Sequence, residues 1–248
     1  MIEKYISINE CSDFIDNFNK FYYFTKNYIS GDYNEFKWII ISLYMTLQSI
    51  FVLSLRNDVE ENVLKCKSKK KQINNLKYVF KLEYNVPEKD LVNIDIVKNI
   101  INLHPHFIIL ENVPKTVKIL NDNGINIDGE KLISIYENEL TQLKSFNELY
   151  KMMKDKDNFH YYGSNEIPER LYIDETIKII QKYRNKFIHF RPTNWGIILN
   201  GYNKIIIDSL KLIEYIISET NDLIIYDDII KDNKTIGKIE KIRALLCN

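Results

Sequence analysis

"EFKWIIISLYMTLQSIFVLSLRND" spans residues 35–58. From Trp38 to Leu55 it is the most apolar run in the chain, and its apolar residues fall on every side of a 3.6-residue helix. A helix of that kind lies either at the centre of a bundle or in a bilayer. Ser42, Tyr44, Thr46, Gln48 and Ser54 interrupt the run, an amphipathic segment precedes it, and its length is marginal for a membrane span. The reading is therefore a buried bundle helix over 33–56, with no membrane as partner.

Outward from this helix the pattern stays helical. Phe14, Phe18, Phe21 and Tyr22 repeat at helical spacing over 10–29, and Gly31-Asp32 breaks the repeat. "RNDVEENVLKCKSKKKQINN" is polar and carries a lysine cluster, Lys65 to Lys71. It reads as a helix end followed by a solvated loop. A short helix is predicted after Pro87 and another from near Pro114. Asp128-Gly129 then precedes a helix over about 130–154, with Leu132, Ile135, Tyr136, Leu140 and Leu143 on one face. Asp174-Glu175 opens a helix that Pro192 forbids from continuing. Asn200-Gly201 suits a small hairpin turn. Residues 203–219 form a further helix and 222–248 a C-terminal helical extension. The fold predicted is all-α: an up-and-down bundle in a single domain, 1–248, with an inserted helical middle segment over 60–170.

Composition agrees with this class. The 248 residues are 45% hydrophobic and 27% charged, which is ordinary for a globular chain with an ample core. Gly at 7 and Pro at 5 encode few turns, favouring helices over a many-stranded sheet. Lys+Arg and Asp+Glu are 34 each, so no global basic field gathers nucleic acid and any contact with it needs a local patch. Cys11, Cys66 and Cys247 are odd in number and far apart, which argues against a disulfide framework. The N-terminus has no signal-peptide core. A cytoplasmic location is expected.

Chemistry concentrates in "RNKFIHFRPTNW", residues 184–195. On a helical wheel over 173–190, Arg184 falls within the apolar half formed by Ile173, Ile177, Ile180, Tyr183 and Phe187. A guanidinium placed there needs an anionic partner, a groove or another subunit. Asn185 and His189 lie four apart on one flank, close enough to hydrogen-bond. For an isolated pair the structural reading has the stronger prior: Arg184 bound to a carboxylate, and His189 closing a helix where a cation suits the dipole. The functional alternative is a phosphodiester site. Arg offers a bidentate fork to phosphate oxygens, and His exchanges protons near neutral pH.

Arg184-Asn185-x-x-x-His189 resembles the Arg-polar-x-x-x-His motif of the HEPN superfamily. The longer string through Phe190, Pro192 and Trp195 is similar to a bacterial branch of that superfamily met in plasmid and defence-associated proteins. Residues 35–58 are similar to that branch's second helix. These two strings carry the resemblance directly. The order of helices over 10–219 fits more loosely, and 60–170 and the C-terminal tail lie outside it. The resemblance implies a dimerising bundle of four or five helices, with metal-independent RNA cleavage in active members. It also implies a toxin or phage-defence role and a cognate antitoxin. Some members carry a tyrosine two residues after the histidine, which partners adenylylate. Here that position is Arg191.

RNA cleavage by its own 2′-hydroxyl needs a base, an acid and cations around the phosphate. Two chains meeting across a two-fold axis would supply two histidines and two arginines to one groove. His189 is then the proton-transfer residue, Arg184 stabilises transition-state charge, and Asn185 orients His189 or the phosphate. Lys182, Lys186 and Arg191 make the local basic patch, Trp195 offers a stacking face, and Gln48 and Arg56 are further groove candidates. For Gln48 and Arg56 core packing and a helix-end role compete with that assignment, as loop packing does for Trp195. No cofactor and no metal are expected. His104-Pro105-His106 lacks a third ligand, His160 sits in a polar loop, and "DNGINIDGE" is a turn before a helix rather than a calcium loop. Two alternatives stay open: a catalytically silent HEPN module binding RNA or nucleotides, and a helical interaction protein.

Overall fold

The computed structural model describes residues 10–56, 63–83, 112–122, 124–135, 141–155, 165–189, 201–220, 223 and 227–247. About 81% of the described residues are helical, and the β-pairing among them is one short antiparallel pair, so the fold is all-α as the pattern predicts. The chain divides into two compact units, 1–58 with 145–248, and 59–144. Residues 145–170, assigned to the middle segment from sequence, thus lie in the first unit.

The first unit is built around one helix. α1 (Glu10–Ile29) and α2 (Phe36–Arg56) pair through a turn in which Gly31 takes φ 106°, a conformation that favours glycine. The Asp32 carboxylate accepts from the Asn34 N–H and opens a single 3₁₀ turn, Tyr33–Glu35, before α2. α2 also packs against α6 (Phe146–Met153), α7 (Asp174–Ile188) and α8 (Tyr202–Glu219). Ile39, Ile40, Leu43, Leu47, Ile50 and Phe51 are fully buried. By length and composition Tyr33–Arg56 would pass as a membrane span, yet 72% of its most apolar window is buried within the protein. Three of its polar residues are satisfied by hydrogen bonds, while buried Ser54 Oγ has no partner among the described residues. Ser42 Oγ donates to the Trp38 carbonyl at 2.6 Å, Thr46 Oγ1 donates to the Ser42 carbonyl at 2.8 Å, and Ser49 Oγ donates to Asp13 Oδ2 of α1 at 2.5 Å.

The start of α7 is held from two sides. The Ile173 N–H donates to the Tyr150 hydroxyl at 2.6 Å, and Lys154 Nζ pairs with Asp174 Oδ1 at 2.5 Å. Lys154 also lies over the Tyr150 and Tyr172 rings, 5.0 and 5.1 Å from their centroids. α8 begins after Gly201, whose φ is 80°; the hairpin expected around Asn200-Gly201 falls partly outside the described residues, and the described glycine serves as a helix entry. The C-terminal extension consists of α9 (Asp227–Asp232) and α10 (Thr235–Cys247), with Lys234 at φ 53° between them. α10 docks on α1 through Lys238 Nζ to Asn19 Oδ1 at 2.6 Å and on α8 through Arg243 to Glu214 at 2.7 Å.

The second unit contains strand β1 (Leu64–Cys66) antiparallel to β2 (Thr141–Leu143), with Leu64 opposite Leu143. It also contains α3 (Lys69–Glu83), α4 (Asn112–Asp122) and α5 (Gly129–Ile135). The lysine cluster is therefore no loop: Lys65 sits in a strand and Lys69 opens a helix. "DNGINIDGE" is a turn before a helix. The Asn121 side chain brackets Ile127, and the Asp128 carboxylate accepts from the Lys131 N–H at 2.7 Å to start α5.

The helix expected over 130–154 is a correction. α5 ends at Ile135, β2 occupies Thr141–Leu143, and α6 begins afresh at Phe146. The new start is a capping box. Ser145 Oγ accepts from the Glu148 N–H, and Glu148 Oε2 accepts from the Ser145 N–H at 2.7 Å. The helix expected after Pro87 lies outside the described residues.

Two stability outcomes follow from this packing. Ser145→Ala removes the α6 cap and lowers unfolding free energy by about 1 kcal/mol, whereas Leu47→Ala opens a cavity under α2 and lowers it by about 2–5 kcal/mol; urea denaturation reads both. Burial holds the Tyr150 phenol above the ordinary tyrosine value of 10.0 and does the same to the Tyr202 phenol. Below pH 10.0 both states keep these protons and the stabilisation is complete. Above it the unfolded chain ionises while the folded chain does not, so stability falls as pH rises, by up to about 1.4 kcal/mol per pH unit for each site. Denaturation midpoints measured from pH 8 to 11 should drop beyond pH 10, and less steeply in Tyr150→Phe.

Candidate functional site at the end of helix α7

The sequence motif occupies the last turn of α7 and its cap. α7 ends at Ile188, and His189 is the C-cap residue, its backbone N–H donating to the Asn185 carbonyl at 3.0 Å. Asp174 and Glu175 stand in the first turn and Lys186 in the last, each suited to the helix dipole at its end. Thr176, Ile177 and Ile180 bury the first half of the helix. Toward the C-terminus the buried face becomes aromatic: Phe36 of α2 meets the Tyr183 and Phe187 rings at 6.1 Å each, and Tyr202 of α8 closes on Phe36 at 4.2 Å.

Arg184 points toward this apolar side, as the helical wheel predicts. Among the described residues no carboxylate pairs with it. Its guanidinium carbon lies 4.7 Å from the centroid of the Tyr44 ring of α2, a cation–π contact. Burial pushes the Tyr44 phenol up, and the Arg184 charge pulls it the other way to a lesser degree. The ring is thus a neutral phenol beneath a cation. Tyr44 is itself fixed by Phe146, with ring centroids 4.4 Å apart.

The fork of Arg184 is incompletely used. Nη1 donates to Asn185 Oδ1 at 3.1 Å, and buried Nε has no hydrogen-bond partner among the described residues. The residue as a whole is half-buried. The expected pairing of Asn185 with His189 is replaced in part: the Asn185 side-chain oxygen serves Arg184, and Asn185 meets His189 through the backbone. Asn185 and His189 are both exposed. An accessible imidazole and a guanidinium uncommitted to any described carboxylate therefore end the same helix.

The remaining candidates scatter. Lys182 and Lys186 are exposed on α7. Gln48 is half-buried on α2, one helical turn beyond Tyr44 and on its side of the helix. Arg56 pairs with Glu10 at 2.7 Å, which joins the end of α2 to the start of α1. Arg191, Pro192 and Trp195 lie outside the described residues, as do His104, His106 and His160. No group of three His, Cys, Asp or Glu residues able to hold a metal occurs among the described residues.

Tyr44 is the residue that sequence reasoning missed. A tyrosine inside an apolar helix reads as core. The one available signal was its spacing from Phe36, eight residues or about two turns, which puts both rings on the face that meets α7.

No family model matches the chain, and neither a curated protein nor a solved structure matches it.

Proposed function

We propose that the protein is a metal-independent endoribonuclease of HEPN type, a toxin or phage-defence effector acting as a cytoplasmic homodimer and restrained by a cognate antitoxin. One observation carries the reading: Arg184 rests on an aromatic face, with no described carboxylate to neutralise it, on the same terminal turn as Asn185 and five residues before the exposed His189 that caps the helix. A half-buried cation without a counter-ion favours an anionic ligand. An exposed imidazole at the same helix end offers a side chain able to take or give a proton.

The chemistry assigned to these residues is transesterification. His189 takes the proton of the RNA 2′-hydroxyl, whose oxygen attacks the adjacent phosphorus. The 5′-oxygen leaves with a proton from a second acid, and the products are a 2′,3′-cyclic phosphate and a 5′-hydroxyl. Arg184 stabilises the charge gathering on the non-bridging oxygens. Asn185 holds the Arg184 fork, and Lys182 and Lys186 attract the backbone. The single histidine of the motif suits only one of the two proton transfers, so the His189 of a second copy supplies the other across a two-fold axis. Ile188, 46% exposed beside His189, offers apolar surface at the place where that copy would meet the first.

Incubation with total RNA in excess EDTA tests the reading. Wild type should cut and leave cyclic phosphate ends, and DNA, which lacks the 2′-hydroxyl, should stay whole. Arg184→Ala and His189→Ala should each fold and lose about 10²-fold or more in rate. Cleavage that persists in both variants means the site is elsewhere. Intact dimer that retains RNA uncut means a binding module. Variants that unfold, with wild type ignoring RNA, mean that both residues are structural.

A further inference from the structure

We propose that Tyr44 is a positioning residue for this site: its ring, locked by Phe146, sets the orientation in which Arg184 presents its guanidinium to a phosphate. The proposal rests on the phosphodiester reading of α7 and adds a residue that belongs to neither sequence string's chemistry.

The geometry forms a chain of contacts from a helix start to the cation. The Ser145–Glu148 capping box fixes the first turn of α6. Phe146, at the first position of α6, is buried to 1% exposure. Its ring centroid lies 4.4 Å from that of Tyr44 and 5.8 Å from that of Phe51, so it packs against both rings of α2. The Arg184 guanidinium stands 4.7 Å from that ring. Asn185 Oδ1 holds Nη1 at 3.1 Å. A ring contact and one hydrogen bond together restrict a side chain that otherwise has many rotamers. Neither partner is anionic, so among the described residues nothing cancels the positive charge. A carboxylate in the place of Tyr44 would orient the fork equally well and cancel its charge.

The contact needs an aromatic face and not a hydroxyl. Tyr44→Phe keeps the face, whereas Tyr44→Met fills similar space with a flexible chain and removes it. A residue that only supports the core would not move the two readouts chosen. The first is the nuclear magnetic resonance line of Arg184 Nε–H, assigned by its loss in Arg184→Ala and displaced by the ring current of Tyr44. The second is the split between kcat and KM for RNA cleavage, because misorienting a group that acts on transition-state charge lowers kcat and leaves KM unchanged.

Wild type and Tyr44→Phe should show the same displaced line and cut RNA at rates within about twofold of each other. Tyr44→Met, with native circular dichroism, should lose the displacement and fall about 10-fold in kcat at constant KM. A folded Tyr44→Met with an unmoved line or undiminished kcat overturns the proposal, as does a Tyr44→Phe that loses as much as Tyr44→Met. If Tyr44→Met does not fold, Tyr44→Phe decides: full retention of line and rate supports the aromatic hold, and loss of either overturns it. If wild type leaves RNA uncut, the ribonuclease reading falls separately, and the resonance alone then judges whether Tyr44 orients Arg184.

Discussion

Everything in the first unit depends on burying α2. A helix with apolar residues on all sides has no face to give to water, so α1, α6, α7 and α8 must surround it. Each neighbour is then amphipathic by necessity, and its position follows from the side of α2 that it covers. The candidate site is a consequence of that burial. α7 lies on α2 along an aromatic contact, and the arginine that interrupts its apolar stripe comes to rest on the one tyrosine of α2 that reaches it. A cation with no carboxylate partner among the described residues is accommodated against a core helix because an aromatic face is both apolar and electron-rich.

The same arrangement reconciles two demands on Arg184. A structural arginine satisfies its charge with a carboxylate, which fixes it and neutralises it at once. A ligand-binding arginine must be fixed without being neutralised. Tyr44 and Asn185 supply the first condition and not the second. His189 follows one turn after Asn185, at the cap, where the helix ends and the imidazole faces solvent. The economy of the design is that one helix end carries the fork, its tether and the titratable group together.

Periodicity revealed most of the bundle because a strong apolar stripe bounded by a breaker leaves little freedom. α1 runs over the stretch marked by Phe14, Phe18 and Phe21, and α7 opens at Asp174 as its acidic first turn suggests. Where the stripe was weak the reading failed. Leu132, Ile135 and Leu143 share a helical spacing by coincidence, and the capping box at Ser145 and Glu148 was the stronger local signal, since it satisfies two backbone donors at a defined start. Lys65 to Lys71 looked solvated because lysine composition says nothing of backbone pairing; Leu64 opposite Leu143 is a contact between residues far apart in sequence. At the site, Arg184, Asn185 and His189 were visible as a local string. Tyr44 was not, because its role comes from a neighbour some 140 positions away, and no helical wheel for either segment contains the other.

The central claim is that the end of α7 is a phosphodiester site holding its cation on Tyr44. Its most direct test is a titration of isotope-labelled protein with a short RNA oligonucleotide made uncleavable by 2′-O-methyl substitution at each position. Nuclear magnetic resonance would follow the Arg184 guanidinium and the His189 imidazole. The account predicts that both move together, saturate together and return toward their free positions as salt is raised. If the oligonucleotide binds while those two groups stay where they were, the end of α7 is not the site.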